Sequence, residues 1–258
     1  MRLSTLDGGD LPPGTPAALE LLSPGSHWQL QADLNGYSRP TGPALATQAE
    51  AGRGLRVLAG PGTIGGALGG RLRVRLLEDG YPCWVEPTDL LGRATARGPW
   101  QPRLLNPKAI EAAIAAVLRC ADQANRNPNR YLWGGSLGPN YDCSGFIQSA
   151  FARAGVWIPR DAYQQERFCQ PVAVRICEFR LLRPGDLIFF GTPRRCTHVG
   201  LHLGDGRYLH SSGRDHGHDG LGVDGLSPAD THPVASHYRS ELRGAGRVVR
   251  CHDGTTLA

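Results

Sequence analysis

Apolar and polar positions alternate in short runs along the first part of the chain and recur at helical spacing further on, so two kinds of element are expected. From Trp28 to about Leu91 the runs "WQLQADL", "LRVLA" and "RLRVRLL" alternate, and clusters of Gly and Pro break them. "EDGYPCWVEPTDL" adds a tight turn and one more short apolar strand. Short strands packed this closely predict a small β-barrel, placed at residues 26–92. Residues 1–25, rich in Pro, Gly and Ser, read as an N-terminal arm. "GRATARGPWQPRLL" has turn residues and no period, which puts a linker at 93–105.

At Asn106 the period changes. Ile110, Ala113, Ile114, Val117, Leu118 and Ala121 line one helical face, with Asn106 placed to cap it and Pro107 at its first position. A second helix is predicted after Cys143, with Phe146, Ile147, Ala150, Phe151 and Ala154 on one face and Gly155 as its stop. The runs "DLIFFG", "HVGLHLG" and "RYLHSSG" then read as strands. Residues 106–258 are therefore expected to form an α+β domain, helices first and sheet second.

Composition narrows the class. The 258 residues, 40% hydrophobic and 20% charged, describe an ordinary globular chain long enough for one large or two modest domains. No apolar run is long enough to span a membrane, and no membrane partner is expected. "MRLSTLDGGDLPPGTP" lacks the apolar stretch of a secretory signal, and an even set of paired cysteines is absent from the seven present. Reduced thiols and a cytoplasmic location are the expectation. A net charge of +5 with scattered arginines suits small acidic substrates, and no basic run with interleaved aromatics argues for nucleic acid.

One cysteine is placed unlike the rest. In "YDCSGF", Cys143 opens the second helix, where the macrodipole and unpaired N–H groups favour thiolate over thiol. A nucleophilic thiolate needs a partner base, and "THVGLHLGDGRYLHSSG" offers His198 and His210 on successive strands. A two-residue loop at Asp205-Gly206 sets them on opposite faces; a three-residue Gly204-Asp205-Gly206 loop sets both on one face, a diagonal step apart. The composition permits the latter.

The set "YLWGG", "DCSGF", "RPGDLIFFG" and "THVGLHLGDGRYLHSSG", in that order, resembles the NlpC-type bacterial cell-wall cysteine peptidases, which have a minimal papain-like fold. The segment before it resembles a bacterial SH3-like domain, with Cys83-Trp84-Val85 in its closing strand. The resemblance implies Cys143 as nucleophile, His198 as general base and acid, and His210 as the group that orients the imidazole. It also implies Tyr131 beside the Cys143 N–H as an oxyanion donor. The subgroup with an SH3-like domain in front cuts the γ-D-glutamyl–diamino acid bond of stem peptides whose N-terminal L-alanine is free. By that likeness Asp142, Ser144 and Asp161 hold the free amine and Tyr81 closes the same end of the cleft, while a serine found after the Asp161 position in some members is here Ala162. Without a signal peptide, imported stem peptides and a recycling role are the expectation; no cofactor is implied.

Blander roles compete. Asp142 and Asp161 both stand where a carboxylate caps a helix, and Ser144 is an ordinary first-turn residue. Tyr131 and Tyr81 could be core aromatics, and Trp133 is expected to be one. No metal is expected: His198 and His202 are spaced i, i+4 on a strand, and "GRDHGHDG" reads as a solvated loop. The alternatives to hydrolysis are an acyltransferase or amidase on the same thiol scaffold, and a non-catalytic wall-binding module.

Overall fold

The computed structural model describes residues 11–60, 63–64, 67–68 and 70–255, with 63–64 and 67–68 described by backbone alone. Residues 1–10 of the expected arm lie outside the described residues. The chain divides into two compact units, one of residues up to Pro102 with the short tail from Asp253, the other of Arg103–His252.

In the first unit the alternating runs become strands β1 (His27–Leu30), β2 (Leu34–Tyr37), β3 (Leu45–Ala49), β4 (Gly54–Ala59), β5 (Thr63–Ile64), β6 (Ala67–Leu68), β7 (Leu72–Leu76), β8 (Pro82–Val85) and β9 (Ala94–Ala96). Seven form one antiparallel sheet in the order β3-β2-β8-β7-β4-β1-β9, and β5 pairs with β6. The period of two is literal in β7, where Leu72, Val74 and Leu76 are buried between the half-buried Arg73 and Arg75. Trp28, Leu55, Val57 and Val85 complete a fully buried core, each such side chain contributing about 1.5–3 kcal/mol by burial. Two expected boundaries shift. β9 lies inside the stretch read as linker and pairs with β1, and part of the arm, Ala17 and Leu22, packs into the core. Segments so short carry no detectable period, and backbone pairing at a sheet edge decides their place.

The second unit opens with α1 (Pro107–Arg126), capped as expected by the Asn106 side chain, which accepts the Ala109 N–H at 2.9 Å. There follow the ribbon β10 (Ser136–Leu137) and β11 (Asn140–Tyr141), then α2 (Cys143–Arg153) and α3 (Ala162–Phe168). β12 (Gln170–Val172), β13 (Leu187–Thr192), β14 (Arg195–Gly204), β15 (Arg207–Ser212), β16 (Gly220–Gly225), α4 (Pro233–Ser240) and β17 (Leu242–Arg247) complete it. The six strands form an antiparallel sheet in the order β12-β17-β13-β14-β15-β16. "LIFF" is apolar throughout because both faces of β13 are covered. Leu187 and Phe189 join Ile110, Val117, Ile147 and Phe151 of α1 and α2, whereas Ile188 and Phe190 meet Tyr238 and Val234 of α4. This is the α+β, helix-and-sheet order expected.

The turn between β14 and β15 sets which residues share a face. Its two central residues, Asp205 and Gly206, have φ of 51° and 72°, so it is a two-residue turn. That turn alone would put His198 and His210 on opposite faces. A register shift between His202 and Gly204 inserts one residue into β14 and restores the parity, so both histidines lie on the α4 face one diagonal step apart. The shared face is the one foreseen; the device differs. Gly200 lies between them on that face, and a Cβ there would stand 2.7 Å from the Tyr208 ring and 3.4 Å from the His210 Cβ. Gly200→Ala is therefore expected to lower stability by about 1–3 kcal/mol through overpacking. An unchanged urea midpoint for this variant would show that the face has room to spare.

Candidate active site

Cys143 is the first residue of α2, and the Asp142 side chain caps that helix by accepting the Gly145 N–H at 2.7 Å. The same carboxylate accepts the Gly134 N–H at 2.9 Å and two guanidinium bonds from Arg160, at 3.0 and 2.7 Å. Arg160 also donates to Ser144 Oγ at 3.1 Å. Asp142, Ser144 and Arg160 are all buried. A carboxylate has about four lone-pair positions, and those of Asp142 are taken from inside the protein. Asp142 caps α2, the alternative weighed for it from the sequence, and Ser144 stands in the first turn of that helix with its Oγ accepting from Arg160. Gly145 lets this happen, since a Cβ there would lie 2.1 Å from the Gly135 carbonyl oxygen.

The thiol of Cys143 is buried, and burial, reinforced by the Asp142 charge, pushes its pKa up to about 12. Hydrogen bonds from the Val199 and Ser144 backbone N–H groups and the nearby Arg160 oppose this without reversing it. The helix terminus was expected to yield a thiolate; desolvation outweighs it, and the resting group is a thiol. The Val199 contact brings the middle of β14, where His198 is the preceding residue, to the cysteine.

His198 heads a chain of buried hydrogen bonds. Its Nε2 lies 2.7 Å from His210 Nδ1, and His210 Nε2 lies 2.7 Å from Asp224 Oδ2. An ionised carboxylate only accepts, so the network assigns the protons. His210 donates Nε2–H to Asp224 and accepts at Nδ1 the Nε2–H of His198. The Nδ1 of His198 is left without a proton. Burial, with the neighbouring His210 and His237, holds the His198 pKa well below the usual histidine value, and burial also lowers that of His210 despite Asp224. Burial alone would raise the Asp224 pKa, but N–H donation from His210 and His218 carries it far below the carboxylate range. The Tyr238 ring stacks on His198 with centroids 4.1 Å apart, so the imidazole cannot swing freely.

The remaining expected residues are distributed as follows. Tyr131 is half-buried and bridges to Tyr141; burial raises its phenol pKa, and the charges of Cys143 and Asp142 add to the rise, which sets it beside the thiol. Asp161 occupies the N-cap position of α3 but makes no side-chain capping bond. Tyr81 packs against the core of the first unit, with its N–H on Asp79 Oδ1 at 3.1 Å. Trp133, expected in a core, is 73% exposed, because its loop turns Gly134 rather than the indole toward Asp142. His202 is a structural residue that bonds the Arg183 carbonyl and the Gly206 N–H.

Sequence reasoning missed Asp224, Tyr238 and Arg160. Asp224 had a signal: it is the lone carboxylate in the strand "GLGVDG", and its side chain falls on the His210 face once the parity argument is extended to β16. Arg160 adjoins a residue that was singled out, and nothing in the local pattern marks Tyr238.

Residues 128–239 match the NlpC/P60 family, and residues 36–90 match the bacterial dipeptidyl-peptidase Sh3 domain. Residues 128–239 thus form an NlpC/P60 domain of α+β papain-like fold, preceded in the sequence by a bacterial SH3-like domain. A gamma-D-glutamyl-L-lysine dipeptidyl-peptidase of Bacillus subtilis is 42% identical over 84 residues, 31% of this chain and 27% of that protein. The bifunctional muramidase/DL-endopeptidase CwlT of the same organism is 37% identical over 86 residues, 32% of this chain and 25% of its own length. The matched segment therefore spans only about a quarter of these relatives. Among solved structures, an NlpC/P60 family protein from Bacillus cereus is 24% identical with a TM-score of 0.42, covering 87% of this chain and 64% of that one. Among the described residues no helix is long and apolar enough to cross a membrane.

Two buried neutral histidines make stability depend on acid. Their folded pKa values lie below the ordinary value of about 6.5, so the unfolded chain takes up protons first. Their contribution is full above about pH 6.5 and falls away as the pH drops through that value toward the folded pKa. His218, raised by its bond to Asp224, works the other way, but it is partly exposed and screened. The urea midpoint is expected to fall from about pH 7.5 to about pH 5; a midpoint rising over that interval would contradict the burial of neutral imidazoles.

Proposed function

We propose that this protein is a cysteine endopeptidase that hydrolyses the γ-D-glutamyl–diamino acid bond of peptidoglycan stem peptides bearing a free N-terminal L-alanine, in the recycling of cell-wall peptides. The observation that carries the reading is the Cys143 thiol at a helix start, met by the strand of a histidine whose outer nitrogen is bare and whose inner nitrogen is tied through His210 to Asp224.

As the sulfur attacks the carbonyl carbon, the thiol proton passes to His198 Nδ1. The imidazolium that forms donates Nε2–H to His210, whose own Nε2–H remains on Asp224, so the new positive charge is met by a buried anion through one intervening ring. The Cys143 N–H, at the head of α2, has no acceptor within the helix and, with the Tyr131 hydroxyl, receives the oxyanion. His198 then protonates the leaving amine, and water, activated by the same nitrogen, releases the γ-glutamyl product from sulfur. By the resemblance, Asp161, at the N-cap position of α3, meets the substrate's ammonium. The glutamyl-lysine specificity of the relative that is 42% identical supports the bond assigned.

Cys143→Ala is expected to abolish hydrolysis of L-Ala-γ-D-Glu-diamino acid peptides. His198→Ala should lower kcat by roughly 10²–10⁴-fold, and His210→Ala should leave more activity. N-acetylation of the alanine should reduce kcat/KM by on the order of tenfold to a hundredfold, since it leaves a carboxylate unpaired. Wild-type turnover by Cys143→Ala removes the mechanism; equal rates on free and acetylated peptide remove the free-amine specificity and with it the recycling role. Transfer to an added amine in place of hydrolysis identifies an acyltransferase.

A separate consequence concerns the resting thiol. Free protein is expected to react slowly with iodoacetamide at neutral pH, because Cys143 is protonated and buried. Alkylation at the rate of an ordinary exposed thiolate would mean that an ion pair exists before substrate binds.

A further inference from the structure

His218 is the part of the relay for which peptide hydrolysis has no evident use. The loop that carries it was expected to be solvated, yet His218 is held firmly. Its N–H donates to Ser212 Oγ at 2.9 Å, and its Nε2 lies 2.8 Å from Asp224 Oδ2, the oxygen that His210 also engages. Its ring lies against Gly222, where a Cβ would be 2.1 Å from a ring carbon. One donor atom from each of His210, His218 and Asp224 lies within 4.8 Å of the others. His210 and Asp224 are buried, while His218 is part-exposed and so opens the group to solvent.

We infer that His210 Nε2, His218 Nε2 and the Asp224 carboxylate form a binding site for a divalent cation of the zinc type, and that filling it switches the peptidase off. Two imidazoles and a carboxylate are a borderline-soft N,N,O set of the kind zinc takes with an open fourth position. Tetrahedral bonds of about 2.0–2.2 Å separate neighbouring donor atoms by roughly 3.3 Å. The present separations from Asp224 Oδ2 are 2.7 and 2.8 Å, so each ring nitrogen needs to draw back from that oxygen by about half an ångström, with the two ring nitrogens already within 4.8 Å of each other.

The consequence for the thiol follows from counting protons. A metal on His210 Nε2 requires that nitrogen to be bare, so its proton moves to Nδ1. That Nδ1–H then points at His198 Nε2, 2.7 Å away, which must accept instead of donate. The His198 proton moves to Nδ1, the nitrogen that would have taken the thiol proton. No proton leaves the His198–His210 pair; the two tautomers reverse together, and the base is lost. His218 gives up its Nε2 proton to solvent or to its own Nδ1.

The binding half of this inference stands by itself; the switching half rests on Cys143 and His198 being the catalytic pair. Calorimetric titration of zinc chloride into the full chain should show one site, retained in Cys143→Ala and weakened by about tenfold or more in His218→Gln. Equal binding in His218→Gln, or loss of binding in Cys143→Ala, would overturn the site, the second by putting the metal on the thiol. Nitrogen-15 NMR of the histidine rings in Cys143→Ala should show His198 and His210 exchanging tautomers as zinc is added; unchanged tautomers with the metal bound would overturn the switch. In the wild type, hydrolysis should fall with the midpoint of the calorimetric site, and that midpoint should move with His218→Gln; full activity with the site filled also overturns the switch. A metal-free protein that cleaves no stem peptide counts against the peptidase reading, while the titration and the ring spectra still decide the rest.

Discussion

The Asp142 carboxylate joins the three segments that make the site. It caps α2, anchors the 131–135 loop through Gly134, and pairs with Arg160 just ahead of α3. Cys143, Tyr131 and Asp161 each lie within three residues of one of those attachments. The pair is buried and bidentate, a geometry in which removing one partner leaves an uncompensated charge at a cost of about 3–5 kcal/mol. That cost explains why an aspartate precedes the cysteine although the cysteine itself gains nothing from a neighbouring anion, which raises its pKa. The site tolerates an unhelpful charge next to its sulfur because the same charge holds its walls together.

Much of this was legible in the chain, and the limits have physical causes. The Asn106 cap, the apolar face of α1 and the alternation of β7 are local, and each is present as expected. The common face of His198 and His210 could be argued from parity, but the bulge that achieves it could not, because a one-residue insertion leaves no mark in the pattern of "HVGLHLG". β9 and the Ala17–Leu22 contacts depend on edge pairing and on packing from a distant part of the chain. The thiol state of Cys143 depends on how deeply α2 is covered, which is a property of the whole sheet.

Asp224 shows how a relay extends across a sheet. β14, β15 and β16 are neighbours, and each contributes one member on the same face: His198, His210 and Asp224. Gly200 and Gly222, on that face between the polar residues, leave the room in which the rings turn toward one another. A rigid antiparallel ladder thus sets donor–acceptor distances that flexible loops would hold less well. Tyr238, reaching over from α4, completes the confinement by stacking on His198.

The two shifts at Cys143 and His198, the pair proposed to be catalytic, point to a single electrostatic economy. Burial keeps the thiol protonated and the imidazole neutral, so an ion pair at rest would have to be desolvated on both sides. Charge separation is instead supported at the moment it develops. In the mechanism proposed above, the oxyanion forms against the head of α2, and the imidazolium forms one ring away from a carboxylate whose pKa lies far below the usual range. Asp224 is therefore already ionised in the resting protein, with two imidazole N–H groups on one oxygen, and needs no rearrangement when His198 becomes charged. The same preorganisation that readies Asp224 for a proton shared between rings gives it the donor set of a cation site, so the catalytic support proposed for the relay and the metal site inferred at it have one origin.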